Sequence, residues 1–295
     1  MATIFGINLF ALSGQLLVGL INGSFYALLS LGLAIIFGLL KIINFAQGAM
    51  YMLGAFFAWM ALNYMGINYW AALILVPIAV GGIAILIERF LVRPIANEDH
   101  LYSLLLTFGI ALILQGLFTH IYGSSGLPYS IPAELKGGTK LPFMYLPNYR
   151  AWIIVSSLIV CLGTWWVIEK TKLGAYLRAG TENPQLMQGF GINVPLITTL
   201  TFGFGVALAG FAGVLAAPVY SVSPEMGSNI LIVVFAIVVI GGMGSIGGAI
   251  LTGLLMGVVE GLTKFFYPEA STTVIFLFMV IVLLIKPAGL FGKEA

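Results

Sequence analysis

Long apolar runs without a charged residue constrain this sequence more than any other feature. Leu9–Leu40, residues 151–168 and residues 194–217 are such runs. About 20 apolar residues in a helix cross the roughly 30 Å hydrocarbon core of a bilayer. Only 7% of the chain is charged, whereas soluble domains carry about 25%. The sequence therefore predicts an all-α, polytopic membrane protein whose residues 1–295 form a single transmembrane domain in the lipid bilayer.

The apolar runs and the loops between them predict eight or nine crossings. The first run is one tilted helix or a short segment followed by a full span, because Asn22-Gly23-Ser24 interrupts it. Positively charged residues collect in cytoplasmic loops. Arg89 and Arg93 therefore place the end of the run before them inside, and Lys286 and Lys293 predict a cytoplasmic C-terminus.

Two of the predicted segments are discontinuous. Residues 229–240 would be about 18 Å long as a helix, which is too short to cross, and a glycine-rich stretch at 241–248 follows before residues 249–266 resume the apolar pattern. A polar break at residues 40–48 occupies a comparable place in the first half. Paired broken segments are typical of duplicated transporter folds. We therefore predict one broken span in each half of the chain.

A charged loop, residues 169–193, separates two of the uncharged runs. Its Lys170, Lys172 and Arg178 predict a cytoplasmic location. Asn183 is a favourable N-cap, and Pro184 then takes the first helical position, so a short helix is predicted here. Such a helix could dock into a groove of a partner protein or belong to a plain solvated connector, and the loop by itself favours neither.

The loop also resembles a known signature. The string RAGTENPQLMQGFGIN, from Arg178 to Asn193, is similar to the coupling loop of ABC importer permeases and, more closely, to that of the branched-chain amino-acid permease family of the LivH type. Other stretches resemble landmarks of that family in its order. Met187, where the family usually has a small residue, and Gln47, where many members have histidine, depart from the pattern. The other landmark stretches are INFAQG at 43–48, RP at 93–94, GGMGSIGG at 241–248 and KPAGL at 286–290.

The resemblance implies the permease subunit of an ABC importer for leucine, isoleucine and valine in the inner membrane of the cell. It implies a second related permease chain, two cytoplasmic ABC ATPase subunits and an external substrate-binding protein as partners. The chain would be no enzyme and would need no cofactor, and it has no G-x-x-x-x-G-K-[ST] motif with which to hold ATP phosphates. By resemblance, the residues that couple to the ATPase are Arg178, Ala179, Glu182, Asn183, Pro184, Gly191, Ile192 and Asn193.

Neutral polar side chains within the apolar runs are candidates for the substrate pathway. A zwitterionic substrate needs hydrogen-bonding groups along its way, but no fixed charge that would trap it. The same side chains could instead hydrogen-bond between helices, at about 0.6 kcal/mol per contact. The candidates are Asn22, Ser24, Asn44, Gln47, Gln115 and Ser245.

Small residues recur at intervals of four in two places. This spacing draws a stripe along one side of a helix and lets another backbone approach closely. We therefore predict close helix packing at these positions, within this chain or against a partner permease. The residues concerned are Gly19, Gly23, Ala249, Gly253, Gly257 and Gly261.

Glu260 is the carboxylate within a predicted span, and such groups are functional candidates. Lys264 lies four residues later and is placed to pair with it, and we favour a paired or snorkelling residue over a proton relay. If Glu260 coupled an ion gradient, the chain would be a secondary transporter. A passive channel for small neutral solutes and an ABC permease for urea or amides are further alternatives. His100 and His120 are too far apart for a metal site, and the net charge of +2 is too small to indicate nucleic acid.

Overall fold

The computed structural model describes residues 3–4, 7–40, 42–95, 98, 100–141 and 144–292, and Lys293 of the predicted cytoplasmic end lies outside them. Helix α1 runs without interruption through Asn22-Gly23-Ser24, so the first apolar run is one long helix. The α-helices of the described residues are α1 (Leu9–Leu40), α2 (Gln47–Met65), α3 (Tyr69–Ile87), α4 (His100–Tyr122), α5 (Asn148–Lys170), α6 (Lys172–Glu182), α7 (Pro184–Gly189), α8 (Val194–Ala216), α9 (Met226–Gly241), α10 (Ile246–Phe266) and α11 (Thr273–Ile285).

Six of these helices are long and apolar enough to cross a membrane, counted over the described residues. They are α1, α3, α4, α5, α8 and α10, and α9 and α11 are shorter apolar helices of 16 and 13 residues. The predicted all-α polytopic membrane fold is confirmed. The eight or nine crossings predicted from the sequence include short segments such as α9 and α11 in addition to the long helices.

The structure also contains two short antiparallel hairpins, whose strands the sequence did not predict. The second hairpin lies in the loop between α4 and α5, and its register places Gly138 opposite Pro147. Neither hairpin lies within an apolar run, so the helical character of the spans is unaffected. The strands are β1 (Thr3–Ile4), β2 (Ile7–Asn8), β3 (Gly138–Leu141) and β4 (Met144–Pro147).

The glycine-rich break between α9 and α10 is narrower than predicted, because only residues 242–245 separate the two helices. Gly242 and Gly244 have φ angles of 94° and 95°, a region that glycine adopts without steric cost. Ser245 Oγ accepts a hydrogen bond from the Gly248 N–H at 3.1 Å and so caps α10. The remaining glycines of the stretch are helical.

The segment after α11 covers this break. The Leu290 N–H donates to the Ile240 carbonyl at 2.8 Å. A Cβ at Gly289 would lie only 2.4 Å from Gly242 Cα, so the two backbones are in contact. The landmark stretches at 241–248 and 286–290 therefore pack on each other. Irregular backbone within a membrane must be covered by protein or line a water-filled cavity, and here protein covers it.

The described helices fall into two compact units. The first comprises Met1–Ser30, Ser130–Cys161 and Val233–Ala295, and the second comprises Leu31–Tyr129 and Leu162–Ile232. The whole of the charged loop belongs to the second unit.

In the first unit, α1 packs against α10 backbone to backbone. A Cβ at Gly257 would lie 2.3 Å from Gly23 Cα, and one at Gly19 would lie 2.5 Å from the Gly257 carbonyl oxygen. Ala249, on the same stripe of α10, is buried. We call this contact the α1–α10 seam. Its glycines are Gly19, Gly23, Gly253, Gly257 and Gly261.

Glu260 lies beside this seam and is buried. Its Oε1 accepts a hydrogen bond from Asn22 Nδ2 at 3.1 Å, and its Oε2 accepts one from the Tyr26 hydroxyl at 2.7 Å. Lys264, the expected partner, is exposed, and the ion pairs of the described residues do not include it. The predicted Glu260–Lys264 pair is therefore wrong, because the partners come from α1 across the seam and not from the next turn of α10.

Replacing Glu260 by leucine should lower stability more than replacing it by glutamine. Leucine removes the acceptor of two hydrogen bonds, each worth about 0.5–1.5 kcal/mol, whereas glutamine keeps one carbonyl oxygen. We expect Glu260→Leu to lower the thermal unfolding midpoint in detergent, and Glu260→Gln to change it less and to retain transport. Equal destabilisation would contradict this role, and a stable Glu260→Gln protein without transport would favour the ion-coupled alternative.

In the second unit, α8 lies against α2 and α3. A Cβ at Gly54 of α2 would lie 2.3 Å from the Gly210 carbonyl oxygen, and one at Gly81 of α3 would lie 3.1 Å from the Gly203 carbonyl oxygen. Small residues therefore bring three helix backbones together, as membrane helix packing favours.

Helices α2 and α9 both begin beside the middle of α8. Gly205 is the middle residue of α8, which has 23 residues, and Gln47 Nε2 at the start of α2 donates to the Gly205 carbonyl at 3.1 Å. A Cβ at Gly227, in the first turn of α9, would lie 2.3 Å from the carbonyl oxygen of Gly48. Both helices therefore start at about half the depth of the span that α8 makes.

Candidate functional site

The charged loop contains a helix that the sequence did not predict. Thr171 Oγ1 accepts a hydrogen bond from the Leu173 N–H at 3.3 Å and caps α6. Gly174, Leu177 and Gly180 form the buried side of α6, and Gly180 lies against Val194 at the start of α8. Leu173, Tyr176 and Leu177 recur at helical spacing, and this apolar pattern could have revealed α6 from the sequence.

The predicted cap of α7 is confirmed. Asn183 Oδ1 accepts a hydrogen bond from the Leu186 N–H at 3.0 Å, with Pro184 in the first turn. Gly191 then reverses the chain with φ 78°. Asn193 Oδ1 accepts from the Leu196 N–H at 3.1 Å and caps α8. Two asparagine caps therefore fix α7 between the end of α6 and the start of α8.

The loop exposes apolar side chains outside the spans. Leu186 is 58% exposed and Phe190 is 75% exposed, and they lie four residues apart at α7. Sequence reasoning missed both, although two apolar residues four positions apart in a polar loop indicate an apolar helix face that would be buried against another surface. We call Leu186 and Phe190 the α7 patch. Of the predicted coupling residues, Ala179 and Ile192 are partly buried, and the exposed ones are Arg178, Glu182, Asn183, Pro184, Gly191 and Asn193.

Arg178 forms an ion pair at the edge of the loop. Its Nη1 lies 3.2 Å from Oε2 of Glu169, with 48% and 45% of the two side chains exposed. Exposed pairs of this kind contribute between about 0 and 1 kcal/mol.

A π-helical turn, Glu88–Val92, follows α3. The Arg93 N–H donates to the Glu88 carbonyl, which is the i→i+5 bond of a π-helix. Arg93 Nη2 and Nε lie 3.1 and 3.2 Å from the two carboxylate oxygens of Glu88, which is only 2% exposed. The π-turn therefore brings a buried carboxylate and an arginine into a two-bond ion pair.

This ion pair also holds the start of α8. The Thr199 hydroxyl lies 2.7 Å from Glu88 Oε2 and also contacts Arg93 Nη2, and Arg93 donates to the Pro195 carbonyl at 3.0 Å. We call this group the Glu88–Arg93–Thr199 clamp. It joins the end of α3 to the first turns of α8, directly after the capped loop. From the sequence, Arg93 was interpreted only as a marker of the cytoplasmic side of the membrane and as part of a landmark stretch. No sequence pattern indicated a role for Thr199.

The predicted pathway residues are divided between the two units, with Asn22, Ser24 and Ser245 in the first and Asn44, Gln47 and Gln115 in the second. Asn44 and Gln47 are buried and lie 3.4 Å apart through Nδ2 and Oε1, and Gln47 also binds the α8 backbone as described. Ser24 Oγ donates to the Leu20 carbonyl, whereas Asn22 and Ser245 hold Glu260 and the start of α10. Gln115 is different, because it lines a cavity between α2, α4 and α9.

Comparison with known proteins gives matches along most of the chain. Residues 15–285 match a family described as branched-chain amino acid transport system / permease component. The chain is 32% identical over 293 residues to the high-affinity branched-chain amino acid transport system permease protein LivH of Escherichia coli K12, and 31% identical over 292 residues to BraD of Pseudomonas aeruginosa, with 95% of each chain covered. It is 29% identical over 291 residues to the LivM permease of Escherichia coli K12, covering 90% of this chain and 67% of LivM. No solved structure matches the chain.

Proposed function

This chain belongs to the branched-chain amino acid transport permease family, and from that premise we propose that it is the permease subunit of an ABC importer for leucine, isoleucine and valine. The chain is a multi-pass membrane transport permease, and its family is not an enzyme class. We place it in the inner membrane with a cytoplasmic C-terminus, and residues 1–295 act as a single permease domain.

The proposed partners follow from the relatives and from the sequence. Similarity to both LivH and LivM supports a pore made by this chain and a second related permease. Two cytoplasmic ABC ATPases supply the energy, since the sequence has no motif of its own for ATP phosphates. An external binding protein delivers the substrate.

The single observation that carries the coupling role is the α7 patch. Leu186 and Phe190 are apolar, exposed and held on a short capped helix outside the spans. Apolar side chains at helical spacing fit a groove of a partner. We propose that the ATPase binds this patch, with the exposed residues of the predicted coupling set around it. Movement of the ATPase then passes through the capped loop to α8, and through the Glu88–Arg93–Thr199 clamp to α3.

Placing charges on the α7 patch should uncouple the transporter. We expect Leu186→Glu/Phe190→Glu to prevent co-purification of the ATPases and to abolish ATP-driven leucine uptake in proteoliposomes, because both side chains would be desolvated in the complex. Membrane insertion should be normal, since neither side chain is buried in the chain itself. Gln188→Glu, on the same exposed helix, is the matched control and should retain assembly and uptake.

Two results would contradict this proposal. Normal ATPase binding and uptake in the doubly charged variant would remove the coupling role of α7. Uptake by the wild-type chain that needs no ATP would favour the secondary transporter or the channel instead.

A further inference from the structure

A small cavity lies within the second unit between α2, α4 and the first turns of α9. Its volume is about 70 Å³. Phe45 and Phe108 meet edge to face in its wall, with ring centroids 6.4 Å apart. Most other wall residues are apolar, while Gln115 supplies a carboxamide and Ser228 a hydroxyl. The residues that define it here are Phe45, Met52, Phe108, Ala111, Gln115 and Leu231.

The cavity lies near half the depth of the membrane-spanning part. Ala49 and Gly227, which also line it, belong to the first turns of α2 and α9, and both turns lie beside the middle of α8 as shown above. Substrate sites of many transporters occur at this depth, where discontinuous helices begin. The position therefore suits a solute in transit better than a packing defect at the edge of the chain.

Gln115 is the polar group of this cavity that the protein leaves free. Its side-chain carboxamide makes no hydrogen bond to the described residues, although its backbone carbonyl accepts from Thr119 at 2.8 Å. The Ser228 hydroxyl, by contrast, donates to the Glu225 carbonyl at 2.9 Å. A polar side chain without a protein partner in apolar surroundings favours a polar ligand or water.

We propose that this cavity holds the branched aliphatic side chain of the transported amino acid, with the Gln115 carboxamide hydrogen-bonded to the polar groups at its α-carbon. The proposal rests on the function proposed above and adds a site to it. The apolar walls match a hydrocarbon side chain, and pockets of this type use few polar groups to fix orientation. An apolar cavity of about 150 Å³ admits benzene, so a cavity of about 70 Å³ suits three or four carbons and excludes an aromatic ring.

Filling the cavity tests the proposal. The reconstituted complex is supplied with binding protein saturated by leucine or by alanine, and initial uptake rates are measured. We expect Ala111→Leu to lower the ratio of leucine to alanine uptake at least about tenfold, because leucine adds three carbon atoms to the wall and a misfit of one methylene group already has an effect of about tenfold or more. Gly116→Leu is the matched control on α4, because a Cβ there meets open space, and its ratio should stay at the wild-type value.

A second variant keeps the test decisive if Ala111→Leu fails to assemble. Met52→Ala enlarges the cavity and should raise the ratio of phenylalanine to leucine uptake.

A labelling experiment gives a readout other than uptake. Cys161 is the one cysteine of the sequence and is buried, so Ala111→Cys combined with Cys161→Ser leaves a single thiol in this chain, and its labelling is measured after this chain is separated from the partner subunits. Leucine should slow its reaction with a methanethiosulfonate reagent more than alanine does.

The outcomes separate this inference from the proposed function. Wild-type proteoliposomes without ATP-dependent uptake of any branched-chain amino acid would overturn both. Leucine uptake with unchanged ratios in Ala111→Leu and Met52→Ala would overturn the site alone. Labelling that neither amino acid slows would also overturn the site.

Discussion

Arg93→Met is expected to lower the stability of the chain by about 1–3 kcal/mol, because the Glu88 carboxylate, 2% exposed, loses the hydrogen bonds of an arginine that is itself 38% exposed. Among the described residues, Glu88 would keep the Thr199 hydroxyl. In detergent this loss corresponds to a fall of several degrees in the thermal unfolding midpoint. Arg178→Met is the control from the same chain, since its pair with Glu169 is about half exposed and should be worth at most about 1 kcal/mol.

The double variant Glu88→Leu/Arg93→Met separates stability from coupling. Replacing both members of a buried pair by apolar residues is often neutral, so we expect the unfolding midpoint to recover. The link from the start of α8 to the end of α3 is still lost, because Thr199 and the Pro195 carbonyl no longer have Arg93. ATP-driven uptake should therefore stay at least about 5-fold below wild type, within the range of measured coupling energies. Wild-type uptake in this variant would show that the Glu88–Arg93–Thr199 clamp only stabilises the fold.

Gly19→Val is expected to prevent stable folding of the first unit. The new Cβ would lie 2.5 Å from the Gly257 carbonyl oxygen and 2.9 Å from Gly261 Cα, both of them backbone atoms. Overpacking costs about 1–3 kcal/mol where side chains can move aside, and more where they cannot. Backbone atoms in the α1–α10 seam can yield only if the two helices separate. We therefore expect little folded protein in detergent extracts, measured by size-exclusion chromatography.

Gly14→Val is the matched control for this prediction. It makes the same substitution on the same helix, but a Cβ at Gly14 meets nothing within 4 Å. Its yield and unfolding midpoint should equal those of the wild type. Equal loss of folded protein in both variants would show that the loss does not come from the seam.

Local signals were read correctly from the sequence, with one exception. The cap at Asn183, with Pro184 in the first turn, depends on residues within one turn of each other, and it is present. The small-residue stripe of α10 has a regular spacing that the sequence displays directly. Helix α6 was missed although Leu173, Tyr176 and Leu177 recur at helical spacing, because charged residues surround them in a short loop.

Contacts between distant residues were beyond the sequence. Glu260 illustrates this, because the rule for helical neighbours favoured Lys264, four residues away, and the hydrogen bonds come instead from Asn22 and Tyr26, 238 and 234 residues away. Thr199 reaches Glu88 across 111 residues. No local sequence pattern marks such a pair, since the spacing and type of the neighbouring residues would allow each of the two residues to bind a different partner equally well.

The sequence by itself determined that this chain is embedded in a bilayer and that its spans are helical. It also determined that the charged loop between two of these spans carries a capped helix. These properties depend on hydrophobic length, charge and capping, which act over a few turns. Only the tertiary structure decided which backbones touch, where Glu88 and Glu260 find their partners, and that α2 and α9 begin beside the middle of α8. The reason is that helix packing in a membrane depends on close contact and polar pairing between segments far apart in the chain, and any one segment carries only half of each contact.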